Sequence, residues 1–174
     1  LSNLSSLLQC QLIDITLSDR KNMENLSAIV GMNSFGSFLW QENSDNKINV
    51  PFFLTGGTFD LITPSTSEQL KLLLSLSSST LSRVLLIEGA SHFSPIRVEG
   101  QMSHSEGKDL FNLGESIVGY HPLSVQSLLA FEIINFLDKL EEKKSIVSKT
   151  NLKKGELKFH ILDRPIIEKL VKVQ

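Results

Sequence analysis

Three short apolar runs and one long helical pattern organise the chain. Leu26 to Met32 (Leu-Ser-Ala-Ile-Val-Gly-Met), set behind the charged turn Asp19, Arg20 and Lys21, predicts a buried strand. Val50 to Thr55 (Val-Pro-Phe-Phe-Leu-Thr) is β-branched and aromatic, follows the polar stretch Glu42 to Asn49 and stops at Gly56-Gly57. That is the signature of a buried parallel strand ending in a loop, and Pro51 is tolerated among a strand's first residues. Pro64 then suits a first helical turn, and Ser65 with Glu68, or Thr66 with Gln69, has the spacing of a capping box. A helix over about Ser65 to Leu76 is predicted. The serine cluster Ser75 to Ser82 reads as a polar connector. Val84 to Glu88 (Val-Leu-Leu-Ile-Glu) is a further strand closed by Gly89. Strand, helix, strand, with both strands apolar on both faces, is a βαβ unit, so the fold class is α/β with a mostly parallel sheet and flanking helices.

Past His92 the periodicity disappears. Residues 94–121 contain Gly100, Gly107, Gly114 and Gly119 among polar residues and read as a long loop or cap insertion. From Pro122, apolar residues recur at helical spacing (Val125, Leu128, Leu129, Ile133, Phe136, Leu137, Leu140) up to the charged exit Glu141 to Lys144. The tail, residues 145–174, holds a short strand at Glu156 to Leu162 and then an amphipathic stretch after Pro165 that fits helix or strand equally. Residues 1–174 read as a single domain.

Composition narrows the function classes. With 174 residues, 41% of them hydrophobic, the chain is long enough for one globular core. Lys and Arg (17) do not exceed Asp and Glu (19), so the basic surface that nucleic acid demands is not expected. No apolar run reaches the roughly 18 residues of a transmembrane helix, and a soluble chain is expected, the cytoplasm preferred. Cys10 has no second cysteine to pair with and, among Leu7, Leu8, Leu12 and Ile13, reads as a buried inert thiol. The start Leu1-Ser2-Asn3 lacks both Met and a leader, so a longer parent chain is expected.

Two polar residues fall where open α/β sheets place their ligands, just outside the carboxyl ends of strands. Asp60 follows Thr55-Gly56-Gly57-Thr58-Phe59, and His92 follows Glu88-Gly89-Ala90-Ser91. An Asp that accepts a hydrogen bond from one imidazole nitrogen fixes the ring's tautomer and supports the charge it gains as a general base. A turn Asp capping its own backbone beside a satisfied loop His would give the same letters. The paired strand-end setting favours the dyad.

The segments Val50-Pro51-Phe52-Phe53-Leu54-Thr55-Gly56-Gly57-Thr58-Phe59-Asp60-Leu61-Ile62-Thr63-Pro64 and Leu85-Leu86-Ile87-Glu88-Gly89-Ala90-Ser91-His92 resemble the carboxyl half of an α/β-hydrolase. Within that superfamily they are most similar to dienelactone hydrolases and platelet-activating-factor acetylhydrolase-like esterases. Leu8-Gln9-Cys10, Asp19-Arg20, Glu68-Gln69 and Phe93-Ser94 add to the resemblance, which covers about Leu7 to Glu142. It implies a serine ester hydrolase working through an acyl-enzyme on a small ester or lactone, without metal or organic cofactor. Asp60 would be the triad acid and His92 the triad base.

The chain departs from that family at the nucleophile. No Gly-x-Ser-x-Gly elbow is present. Gly31-Met32-Asn33-Ser34-Phe35-Gly36 puts two residues between glycine and serine and follows the wrong strand, so Ser34 reads as a loop serine, and Ser91 beside His92 is not promoted. The nucleophile and oxyanion loop are expected upstream, with Leu1 to Gln9 resembling the family's segment just after the nucleophile helix. A shortened, non-catalytic binding or assembly module is the alternative, because a half-sheet leaves an edge that pairs with another chain, including a second copy. His104 and His121, with Glu99, Glu106 and Asp109, lack metal-ligand spacing and read as solvated loop residues. Gly56-Gly57 reads as a tight strand-end turn, His160 as a surface residue, and Trp40 with Phe35 and Phe38 as a core or interface cluster.

Overall fold

Phe52, Phe53 and Leu54 alternate between two apolar layers, and that alternation sets the architecture. The computed structural model describes residues 4–10, 25–40, 48–95, 122–142, 144 and 146–172. In chain order these hold helix α1 (Leu4–Cys10), strand β1 (Ile29–Met32), strand β2 (Phe52–Gly57), a π-helical turn (Thr66–Leu70) continuing into α2 (Lys71–Leu76), and β3 (Arg83–Ile87). Helix α3 (Pro122–Glu141), strands β4 (Lys149–Lys154) and β5 (Leu157–Asp163), and helix α4 (Arg164–Lys172) follow. The sheet order is β1-β2-β3-β5-β4, with β1, β2 and β3 parallel and β5 antiparallel to both β3 and β4. The protein is therefore α/β, with a mixed five-stranded sheet and flanking helices.

All six β2 residues are buried because apolar layers cover both faces. On one side Phe53, Leu85, Ile87, Phe159 and Ile161 pack against Val125, Leu128 and Phe136 of α3, the Phe53 and Phe136 ring centroids lying 4.9 Å apart. On the other, Phe52, Leu54, Val84 and Leu162 meet Leu70, Leu72 and Leu73 of the π turn and α2, together with Ile167 of α4. Arg83 is also buried: its guanidinium donates to the carbonyls of Ile146, Thr80 and Ser82. Burial pushes its pKa down from the usual arginine value, and Asp163 opposes that shift.

Several sequence expectations are corrected. Strand β1 is not buried: it alternates half-buried and exposed positions, because it lies at the sheet edge and among the described strands pairs with β2 alone. Strand β2 runs through Gly56 and Gly57 instead of stopping before them, and Gly57 pairs with Ile87. A Cβ on Gly57 would lie 1.9 Å from the Ala90 carbonyl oxygen, so glycine is what lets the strand end approach the next loop. The capping box does not form. Ser65 Oγ donates to the Gly57 carbonyl at 2.7 Å, the Gln69 side-chain Nε2 to the Ser34 carbonyl at 2.8 Å, and the helix begins as a π turn.

The serine connector is polar in composition yet largely buried. Ser82 Oγ accepts from the Phe52 amide at 3.0 Å and lies 2.6 Å from Ser77 Oγ, so the hydroxyls pair with backbone and with one another. The tail is ordered as a hairpin and a helix. Strand β5 covers the expected short strand and places Leu157, Phe159 and Ile161 in the core on the α3 side, whereas β4, Lys-Thr-Asn-Leu-Lys-Lys, is a mostly exposed edge whose lysines discourage pairing with another chain. Gly155, with φ +61, turns the chain between them. Cys10 is exposed, not buried. His160 is half-buried: its Nε2 pairs with Glu88 Oε1 at 2.8 Å, and its Nδ1 accepts from the Asn151 amide at 3.2 Å. From residue 96 the long loop lies outside the described residues.

Candidate functional site

Strands β2 and β3 are adjacent and parallel, so their carboxyl ends open onto the same rim. The loops beyond them are knitted together: the Thr58 amide donates to the Ile87 carbonyl at 3.0 Å, the Phe59 amide to the Ala90 carbonyl at 3.1 Å, and the Gly89 amide to Thr58 Oγ1 at 2.9 Å. This stitching brings Asp60 and His92, 32 positions apart, into direct contact. His92 Nδ1 is 2.9 Å from Asp60 Oδ2.

Asp60 is 2% exposed and divides its carboxylate between two tasks. Oδ1 accepts the backbone amides of Ile62 (2.9 Å) and Thr63 (2.7 Å), the self-capping turn that an isolated Asp would make. Oδ2 faces His92 and accepts from Thr63 Oγ1 at 2.9 Å. The two readings of Asp60 left open by the sequence are therefore both realised, one on each oxygen. With both oxygens committed, the carboxylate has a single orientation toward the ring.

Two residues that sequence reasoning missed complete the arrangement. Thr63 Oγ1 lies 3.0 Å from His92 Nδ1 and 3.2 Å from the Asn33 carbonyl oxygen. Asn33, just past β1, has φ +46, a conformation Asn tolerates better than most residues, and its side-chain amide donates to the His92 carbonyl. The Asp-x-x-Thr spacing was a legible signal for Thr63, since a hydroxyl three residues after a turn Asp returns to its carboxylate. Asn33 arrives from another strand, and no local pattern announces it.

The loop carrying Asn33 is itself held from beneath. Glu68, fully buried, accepts from Ser5 Oγ (2.6 Å) and Gln9 Nε2 (3.1 Å) on one oxygen and from the Gly36 (3.0 Å) and Ser37 (3.1 Å) amides on the other. Gln9 Oε1 accepts from the Phe38 (2.8 Å) and Leu39 (3.3 Å) amides. Glu68 and Gln9 thus bind the turn after β1 to α1 and to the π turn.

The serines are directed elsewhere. Ser91 Oγ lies 3.2 Å from Ser94 Oγ, and the Ser34 hydroxyl packs against Gly31. A small hollow, partly open to solvent, lies beside the rim between β2 at Thr55 and Gly57, Ala90 and Ser91, and Val125 and Leu129 of α3. Phe35 and Phe38 are half-exposed, whereas Trp40 packs on the α2-side core. Among the described residues no three His, Cys, Asp or Glu side chains gather at one metal-sized position, and no helix is long and apolar enough to cross a membrane. His104, His121, Glu99, Glu106 and Asp109 lie outside the described residues. No family model, curated protein or solved structure matches the chain.

Proposed function

We propose that the chain is the carboxyl-terminal portion of an α/β-hydrolase that cleaves small carboxylic esters or lactones through an acyl-enzyme, with Asp60 as acid and His92 as base. The observation that carries this reading is the 2.9 Å Asp60 to His92 contact beyond two adjacent parallel strands, with the carboxylate buried and doubly capped. The order also supports it: acid after β2, base after β3, and a long helix, α3, beyond the histidine. In this scheme Asp60 holds the Nδ1 proton of His92. Nε2 removes the proton of a serine supplied upstream of Leu1 as that serine attacks the ester carbonyl. The protonated ring then gives the proton to the departing alcohol, and a second cycle with water releases the acid. Neither half-reaction requires a metal or an organic cofactor.

The test is ester turnover by the longest native form of the protein. Asp60→Asn is expected to lower kcat by two orders of magnitude or more, since it forces the wrong tautomer on the ring. Undiminished turnover by His92→Ala would remove the dyad from the mechanism. A second reading, a hydrolase-like binding module, is favoured by the β1 edge, where Val30 and Met32 are 39% and 56% exposed and Phe35 and Phe38 lie half-exposed beyond it. Absence of any Asp60- or His92-dependent turnover selects it.

A further inference from the structure

We propose that Thr63 is a positioning residue of the dyad: its hydroxyl, set among Asp60 Oδ2, His92 Nδ1 and the Asn33 carbonyl, locks the imidazole with its proton on Nδ1 and leaves Nε2 as the basic nitrogen. The inference deepens the hydrolase reading and rests on it only for its catalytic meaning. The number of protons available decides the arrangement. Oδ2 of an ionised Asp60 and the Asn33 carbonyl oxygen are acceptors only, so Thr63 Oγ1, at 2.9 and 3.2 Å from them, must donate in either direction. It has one proton, and whichever acceptor takes it, a hydroxyl lone pair remains for the imidazole at 3.0 Å.

Around Nδ1 there are then two oxygens, Asp60 Oδ2 at 2.9 Å and Thr63 Oγ1 at 3.0 Å. A bare Nδ1 would set its lone pair against the carboxylate, whereas an N–H is accepted by both. The hydroxyl also rotates between its two acceptors. Asn33 closes the ring of contacts by donating its side-chain amide to the His92 backbone. The device spans the ends of all three parallel strands, with Asn33 after β1, Thr63 after β2 and His92 after β3.

The test is ¹⁵N and ¹H NMR of the His92 ring in the native full-length protein, with Thr63→Val, Thr63→Ser and Thr63→Ala. The parent is expected to show a protonated Nδ1, an unprotonated Nε2 and a slowly exchanging downfield Nδ1 proton. Thr63→Val keeps the shape and removes the hydroxyl, and exchange of that proton should quicken about tenfold, the equivalent of one hydrogen bond to a charged group. Thr63→Ser should restore the parent rate. The pair Thr63→Ser and Thr63→Ala isolates the hydroxyl again should the valine variant not fold. An Nδ1 proton whose exchange is the same with and without the hydroxyl overturns the proposal, as does a parent ring protonated on Nε2. These readouts need no substrate, so they separate from the hydrolase reading: loss of Thr63 control with intact His92-dependent turnover condemns only this proposal, and Thr63 control without ester turnover condemns only the activity.

Discussion

Replacing Glu68 measures how far the site's floor depends on one buried carboxylate. Glu68→Ala leaves the Gly36 and Ser37 amides and the Ser5 hydroxyl without their acceptor, takes one partner from Gln9 Nε2, which keeps Ser5 Oγ at 2.9 Å, and opens a small void beneath the turn. An unsatisfied buried N–H costs about 1 to 3 kcal/mol, and the lost side-chain carbons add about 1 kcal/mol, so the expected destabilisation is about 4 kcal/mol. Glu68→Gln is milder. Its remaining oxygen can serve the two backbone amides, while its new NH₂ donates to Ser5 Oγ, a hydroxyl able to reverse its role. What it forfeits is the Gln9 bond and the charge assistance of the others, about 2 kcal/mol. The assay is guanidinium denaturation followed by circular dichroism, read as a midpoint shift at unchanged slope, with amide exchange at Gly36 and Ser37 as the local readout. A Glu68→Ala loss below about 1 kcal/mol, or a Gln variant less stable than the Ala variant, would refute the assignment of those four bonds.

Substitutions at two other positions test the backbone that presents the dyad. Gly57→Ala forces a methyl to within 1.9 Å of the Ala90 carbonyl oxygen, a backbone atom that cannot turn aside, and should cost about 3 kcal/mol or more in thermal or denaturant unfolding. It should also separate Asp60 from His92, removing the slowly exchanging ring proton. Asn33→Ala combines a positive φ unsuited to alanine with loss of the amide bond to the His92 carbonyl, about 2 kcal/mol together, whereas Asn33→Gly loses only the bond, about 1 kcal/mol. A glycine variant less stable than the alanine variant would contradict the backbone account.

The parts of the fold legible in the sequence are those whose signal is local. The run Val50 to Thr55 and the run Val84 to Glu88 are apolar at successive positions because both faces of β2 and β3 are covered, and α3 repeats its apolar residues at helical spacing because one stripe meets the sheet. Asp60 and His92 were legible for a related reason: each follows such a strand, and parallel neighbours share a rim. Strand β4 was not legible. Its Lys-Thr-Asn-Leu-Lys-Lys is an exposed edge, held by β5 rather than by burial, so it leaves no apolar trace. The burial expected of β1 failed for the converse reason, an apolar run whose position at the edge leaves half of it exposed.

The fate of individual polar groups was decided only by tertiary structure. Ser65 and Glu68 have the letters of a capping box, yet each found a longer-range partner, Ser65 the Gly57 carbonyl and Glu68 the turn after β1. His160 gained Glu88 from 72 residues away. Thr63 and Asn33 became part of the site because three strand ends converge on one point. Hydrophobic patterning is additive along the chain and survives in one dimension, so the sequence by itself determined the layers and the rim. A hydrogen bond depends on where one atom lies to within a few tenths of an ångström. Which donor meets which acceptor was therefore settled only once the strands were packed.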